Sequence, residues 1–131
     1  MALTRQTYLR TTLLVAIIAA PLSAAAAIQL SPIMQSWHSA ARMTQAMLSG
    51  RRPYDEATIR GVLRLYMEGA TMIAGRIRGN GAAAEDLRSR FAAFTADARV
   101  AFAHIGQPSA DSADFARLNA ECGACHSLYN N

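Results

Sequence analysis

Two cysteines and a histidine lie within five residues of one another almost at the end of the chain, in Cys122-Gly123-Ala124-Cys125-His126. C-x-x-C-H is the attachment signature of a covalently bound c-type haem: both thiols add across vinyl groups, and the adjacent imidazole is aimed at the iron. The spacing constrains the fold. On a helix, Cys122 and Cys125 (i, i+3) and Cys122 and His126 (i, i+4) share one face, so all three anchors reach one ligand. The segments upstream are then read as the container for that ligand.

The N-terminal part of the 131-residue chain reads as a targeting segment. Met1 to Arg10 carries Arg5 and Arg10 and no acid, Thr11 to Ala20 is a short apolar run, and Pro21 and Ala24 to Ala27 follow. These are the basic, apolar and small-residue regions of a secretory signal, with cleavage expected after Ala25 or Ala27. A membrane anchor needs roughly 20 apolar residues, and this run is interrupted by Pro21 and Ser23 with no basic flank behind it. The expected division is a signal peptide over 1–27 and a single domain over 28–131, exported to the periplasm with no membrane span left after cleavage.

Loss of Arg5 and Arg10 would lower the formal charge from +4 to +2, and two haem propionates would bring it near zero. The other arginines, including Arg42, Arg60, Arg76, Arg88, Arg99 and Arg117, are dispersed along the chain. Nucleic-acid binding therefore has no footprint. Two cysteines in an oxidising compartment would by default form a disulfide, but one between residues three apart on a helix is strained, and the following histidine favours haem. A zinc site using Cys122, Cys125 and His126 with His38 or His104 lacks the usual second ligand pair. A thiol-disulfide oxidoreductase would need its C-x-x-C at a helix start after a strand, and no strand pattern precedes it.

Period-two alternation is absent, and Ala, Leu, Met and Arg outnumber β-branched residues, so the chain reads as all-α. A first helix is expected from Ser31-Pro32, cap and first-turn proline, to Ser49, with Gly50 as its stop. Met34, Trp37, Ala41 and Leu48 form its stripe, and Met43 and Met47 lie beside it. Asp55 caps the second helix, with Glu56 near its positive end; Ile59, Val62, Leu63, Tyr66, Ala70, Ile73 and Ile77 face the core. Gly61, Gly69 and Gly75 each weaken it by about 1 kcal/mol relative to Ala, and Gly79-Asn80-Gly81 ends it. The third helix starts at Ala83 or Ala84 and presents Leu87, Phe91, Phe94, Ala98, Phe102 (or Ala101) and Ile105, ending at Gly106-Gln107-Pro108. The fourth, capped by Ser109, Asp111 or Ser112, aligns Phe115, Leu118, Cys122, Cys125 and Tyr129. Short connections between four amphipathic helices imply an antiparallel up-down-up-down four-helix bundle.

With these features together the chain resembles the class II c-type cytochromes, that is, cytochrome c′ and its low-spin, methionine-ligated relatives. The resemblance rests on C-G-A-C-H on the last helix and on the Gly50…Pro53-Tyr54-Asp55 connection, and it covers Ser31 to Asn130. It implies one haem c per chain, attached through Cys122 and Cys125, with His126 as proximal iron ligand. In that family the residue over the other haem face lies on the first helix about four turns before its closing glycine, and counting back from Gly50 gives Met34. A coordinating Met34 implies a six-coordinate iron that carries electrons to a redox partner protein, without substrate turnover; the protein is then not an enzyme. The alternative is a five-coordinate iron that binds NO or CO at an open distal face. A homodimer through the first two helices is also implied. The chain departs from the family pattern at Asn130, where a basic residue is usual, at Leu30, where an arginine often meets a propionate, and in the short Gly79-Asn80-Gly81 connection.

Other residues have plainer readings. Met43 and Met47 read as packing, and Trp37, Phe91, Phe94 and Phe102 as core or haem-packing residues. His38 reads as a partly exposed histidine at the haem edge, and His104 as a favourable charge at a helix C-terminus. Arg42 and Arg117 are the candidate propionate partners.

Overall fold

The computed structural model describes residues 23–129, with side chains from Pro32 onward, Pro108 excepted. The basic and apolar parts of the expected signal and Asn130 lie outside the described residues. Four helices occur in order: α1 (Ser23–Leu48), α2 (Glu56–Arg76), α3 (Ala82–His104) and α4 (Pro108–Tyr129). Among the described residues there is no strand, and no helix is long and apolar enough to cross a membrane. Packing closes a ring, α1 on α2, α2 on α3, α3 on α4 and α4 on α1. Over the described residues the chain is all-α, and its helices pack as a bundle.

Local signals explain most helix ends. Asp55 caps α2, its carboxylate accepting from the Thr58 amide at 3.2 Å and satisfying a donor that the helix start leaves free. Gly50 follows α1 at φ 73° and Gly106 follows α3 at φ 93°, left-handed conformations that glycine adopts without a Cβ penalty. Past Arg76, the Arg88 guanidinium donates to the Gly79 carbonyl at 2.9 Å and the Ile77 carbonyl at 3.3 Å.

Two starts differ from expectation. The start expected at Ser31-Pro32 is not observed, because α1 already runs from Ser23 with Pro32 inside it; it thus includes the expected cleavage positions. Ala24 to Ala27 are the strongest helix formers, and Pro32 removes a single interior bond. Pro108, expected to close α3, instead opens α4, where its missing N–H costs nothing. Gly106 alone turns the chain.

The core is built from Trp37, Ala40 and Met47 of α1, Ile59, Val62, Leu63, Tyr66, Ala70 and Ile73 of α2, Phe91, Phe94, Ala98 and Ala101 of α3, and Phe115 and Leu118 of α4. The buried line of α1 runs through Trp37, Ala40, Thr44 and Met47, so Met47 belongs to the core and Ala41 and Leu48 flank it. On α3 the buried residue is Ala101, while Phe102 is half-buried beneath the Arg60 guanidinium, 4.8 Å from its ring centre. Tyr129 is exposed, its hydroxyl bonded to Asp86.

At the core's centre three aromatics meet. Trp37 stacks on Phe94, centroids 5.2 Å apart and planes within 16°, and Tyr66 lies 5.2 Å and 5.5 Å from the two. Such pairs contribute about 0.5–1.5 kcal/mol each beyond their buried area. Gly69 makes the arrangement possible, because a Cβ there would lie 2.8 Å from Trp37 Cζ2. The sequence pattern had marked this glycine only as a weak point in α2.

A second connection is polar. Tyr54, between α1 and α2, donates its hydroxyl proton to buried Asp111 at 2.7 Å and accepts from the Gly106 amide at 3.2 Å. Asp114, also buried, lies 2.7 Å from His104 Nδ1 and 2.9 Å from Arg117 Nη2. Buried carboxylates are tolerable only with such partners.

Gly69→Ala gains helix propensity worth about 1 kcal/mol but drives a rigid indole out of place, an overpacking cost of about 1–3 kcal/mol. Urea or thermal unfolding should show Gly69→Ala destabilised. Gly61→Ala and Gly75→Ala, whose new Cβ meets nothing within 4 Å, should be unchanged or more stable. Equal effects at all three positions would contradict the packing described.

Candidate functional site

Beside the Trp37–Phe94 stack lies a cavity of about 200 Å³ lined by Met34 and Trp37 of α1, by Arg90, Phe91, Ala93 and Phe94 of α3, and by α4 from Glu121 to His126. That volume exceeds the roughly 150 Å³ known to hold a benzene-sized guest. Its wall is largely apolar, and Ala93 and Ala124 occupy it with minimal bulk. The mouth is wet, since Ala124 and His126 are exposed.

Helical periodicity assembles the α4 wall. Phe115 and Leu118 are buried, Cys122 follows one turn later against the core, and Cys125 and His126 continue towards the rim. The wall facing it has a similar origin. Met34 precedes Trp37 by three residues, so the stripe that buries the indole carries the thioether to the same cavity. The sequence assigns Met34, Cys122, Cys125 and His126 to one ligand, and all four line this one cavity.

Both thiols are free. Burial, with Cys125 and Glu121 adding smaller repulsions, pushes Cys122 up to about 11; burial also raises Cys125, opposed by Arg90. A thiolate of a redox dithiol is stabilised by a helix N-terminus or nearby cations. These thiols instead stand in the last turns of α4, where the helix dipole disfavours negative charge. The polypeptide therefore keeps them as neutral thiols.

The remaining candidates lie elsewhere. His38 and Arg42 are exposed and off the cavity wall. His104 is engaged with Asp114, and Arg117 is held by Asp97 at 3.2 Å as well as by Asp114. The cation on the cavity wall is Arg90, 2.7 Å from Asp86, which also accepts from Tyr129. Sequence reasoning missed Arg90 and Glu121, although each adjoins a residue already assigned to the core stripe, Phe91 and Cys122. Among the described residues no three His, Cys, Asp or Glu side chains converge as a metal cage would.

The donor set and the apolar lining suit a covalently held haem. Two neutral thiols and an imidazole share the end of one helix, a thioether comes from another, and aromatic rings and alanines line the space. Arg90, paired with Asp86, places a guanidinium on the same cavity.

In the chain without cofactor, alkylation of Cys122 should be slow at pH 7 and rise about tenfold per pH unit between pH 8 and 10, following its thiolate fraction. Half-maximal alkylation near pH 7 would instead mark an activated dithiol. Compared with models of protein families, with curated proteins and with solved structures, the chain matches none.

Proposed function

We propose that the protein is a periplasmic c-type cytochrome of the class II kind, carrying one haem c and transferring single electrons to and from partner proteins. The observation that carries this reading is that Met34, near the start of the described side chains, and Cys122, Cys125 and His126, near their end, line one apolar cavity. When bound, the haem supplies a one-electron iron couple. The chain's own residues do the rest. Cys122 and Cys125 anchor the group covalently. His126 and Met34 would be the side chains that hold the iron, an imidazole and a thioether, a pairing that raises the reduction potential. Trp37, Phe91 and Phe94 keep water from the inner edge, and Arg90 would supply positive charge for the propionates. No substrate is turned over, so the protein is not an enzyme.

The bundle in this reading runs up-down-up-down. Several contacts support it: Tyr54 of the α1–α2 connection meets Gly106 of the α3–α4 connection and Asp111 in the first turn of α4, which suits connections at a common end. Along α3 and α4, Asp86 contacts Tyr129, Asp97 contacts Arg117, and His104 contacts Asp114. The numbers rise on one helix as they fall on the other, as antiparallel neighbours require. A pairing of two copies through α1 and α2 belongs to the same reading, as does export with removal of the N-terminal segment.

CO tests the iron's sixth position. Ferrous protein with Met34 bound should show no spectral change under CO, whereas Met34→Ala should bind one CO per haem and lose reduction potential. Rapid CO binding by the unaltered protein would replace the electron carrier with a gas-binding haem protein whose distal face is open.

A further inference from the structure

Glu121 is a carboxyl group on the cavity wall to which the proposed function gives no task. Its Oε2 is buried and has no hydrogen-bond partner. Asp97 of α3 lies within hydrogen-bonding reach of the Glu121 carboxyl group, yet two carboxylates offer only acceptors, so such a pair bonds only with a proton held between its members.

Neither neighbouring arginine is free to stand in for that proton. Arg117, one turn earlier on α4, places Nε 3.2 Å from Asp97 and Nη2 2.9 Å from Asp114, so its charge is divided between two other carboxylates. Arg90 of α3, the cation on the cavity wall, is paired with Asp86 at 2.7 Å. From α1 the wall presents Met34 and Trp37, which do not titrate. Tyr66 of α2, on which Cys122 acts electrostatically, is held neutral by burial. On α4 itself, Cys122 and Cys125 are neutral thiols, and His126 lies at the exposed rim.

We infer that Glu121 and Asp97 form a proton site coupled to the electron carried at this cavity, so that the pair sets how the reduction potential responds to pH. As one electron arrives from a one-electron donor, the pair takes one proton from water; as the electron leaves, that proton returns to water. The charge added is cancelled by the proton beside it, and each event reverses the other. The inference rests on the haem reading. Burial is the largest influence on Glu121 and the bond to Asp97 the next; with Arg117 opposing, they push the carboxyl up to about 7, a range where the proton can be exchanged near neutrality.

Spectroelectrochemical titration of the holoprotein from pH 5 to 9 tests this. The potential should fall with pH across a window near neutrality, approaching about 59 mV per unit for a one-electron, one-proton couple, and level off above it. Glu121→Gln, a neutral isostere of the protonated acid, should hold the potential at its upper value and remove that fall. Asp97→Asn removes the repelling carboxylate and should move the window to lower pH. Urea unfolding gives a readout independent of the iron. Glu121 binds protons more tightly in the folded chain than at its ordinary value of 4.5, so the folded state holds more protons from about 4.5 to 7. This contribution to stability is therefore lost as pH rises through that window, and Glu121→Gln should lack the loss. A pH slope that survives unchanged in Glu121→Gln would assign the proton to the haem propionates and overturn the inference. A purified protein without a Soret band would overturn the haem reading itself.

Discussion

The seat of Trp37 on Gly69 is the contact on which the rest of the structure depends. An indole is too large to lie flat against a helix that carries a side chain beneath it, and the 2.8 Å approach to a Cβ at position 69 shows how little room is left. Because the ring reaches α2 there, it can stack on Phe94 and touch Tyr66 at the same time. One residue thus joins α1 to α2 and α3. The same ring forms part of the cavity wall, so the centre of the core and the inner edge of the site are one object. A change that unseats Trp37 would loosen the bundle and reshape the cavity together.

Polar side chains complete what apolar packing begins. Tyr54 joins the connection after α1 to the start of α4 through Asp111 and to the turn after α3 through Gly106. Asp114 satisfies its buried carboxylate with His104 and Arg117. Each is a group that would be costly to bury alone, so these bonds fix which helix ends lie together. The cavity wall is different. There the carboxyl of Glu121 has an oxygen with no donor, and the lack of a partner makes that group responsive to charge placed nearby.

Periodicity made most of the helical core legible. Ile59, Val62, Leu63, Tyr66, Ala70 and Ile73 recur at threes and fours and are all buried, and Asp55 is the cap its residue type suggests. The C-x-x-C-H spacing singles out three residues that line the cavity, and the family resemblance, through the count back from Gly50, singles out Met34, which lines it too. What escaped was decided between helices. Nothing local tells that Gly69 receives an indole, since the glycine and the tryptophan belong to different segments. Arg90 and Glu121 sit beside core positions, but which of the dispersed charges reaches the cavity depends on how α3 and α4 rotate against each other. The Ser31-Pro32 signal misled because proline is read locally as a beginning, whereas the alanines before it are good enough helix formers to carry the helix through.

A neutral pair of thiols at the C-terminal end of a helix is poorly suited to dithiol exchange and well suited to permanent attachment, and the apolar walls give a flat conjugated ring somewhere to lie. The proposed attachment is covalent, with Cys122 and Cys125 each thioether-bonded to one haem. Mass spectrometry of the protein purified from the periplasm and fully denatured measures this most directly. One haem added to the mass of the chain, located on the peptide that contains Cys122 to His126, is the predicted result. A denatured chain with no added mass, or one lighter by two hydrogens because the cysteines are bridged, would contradict it.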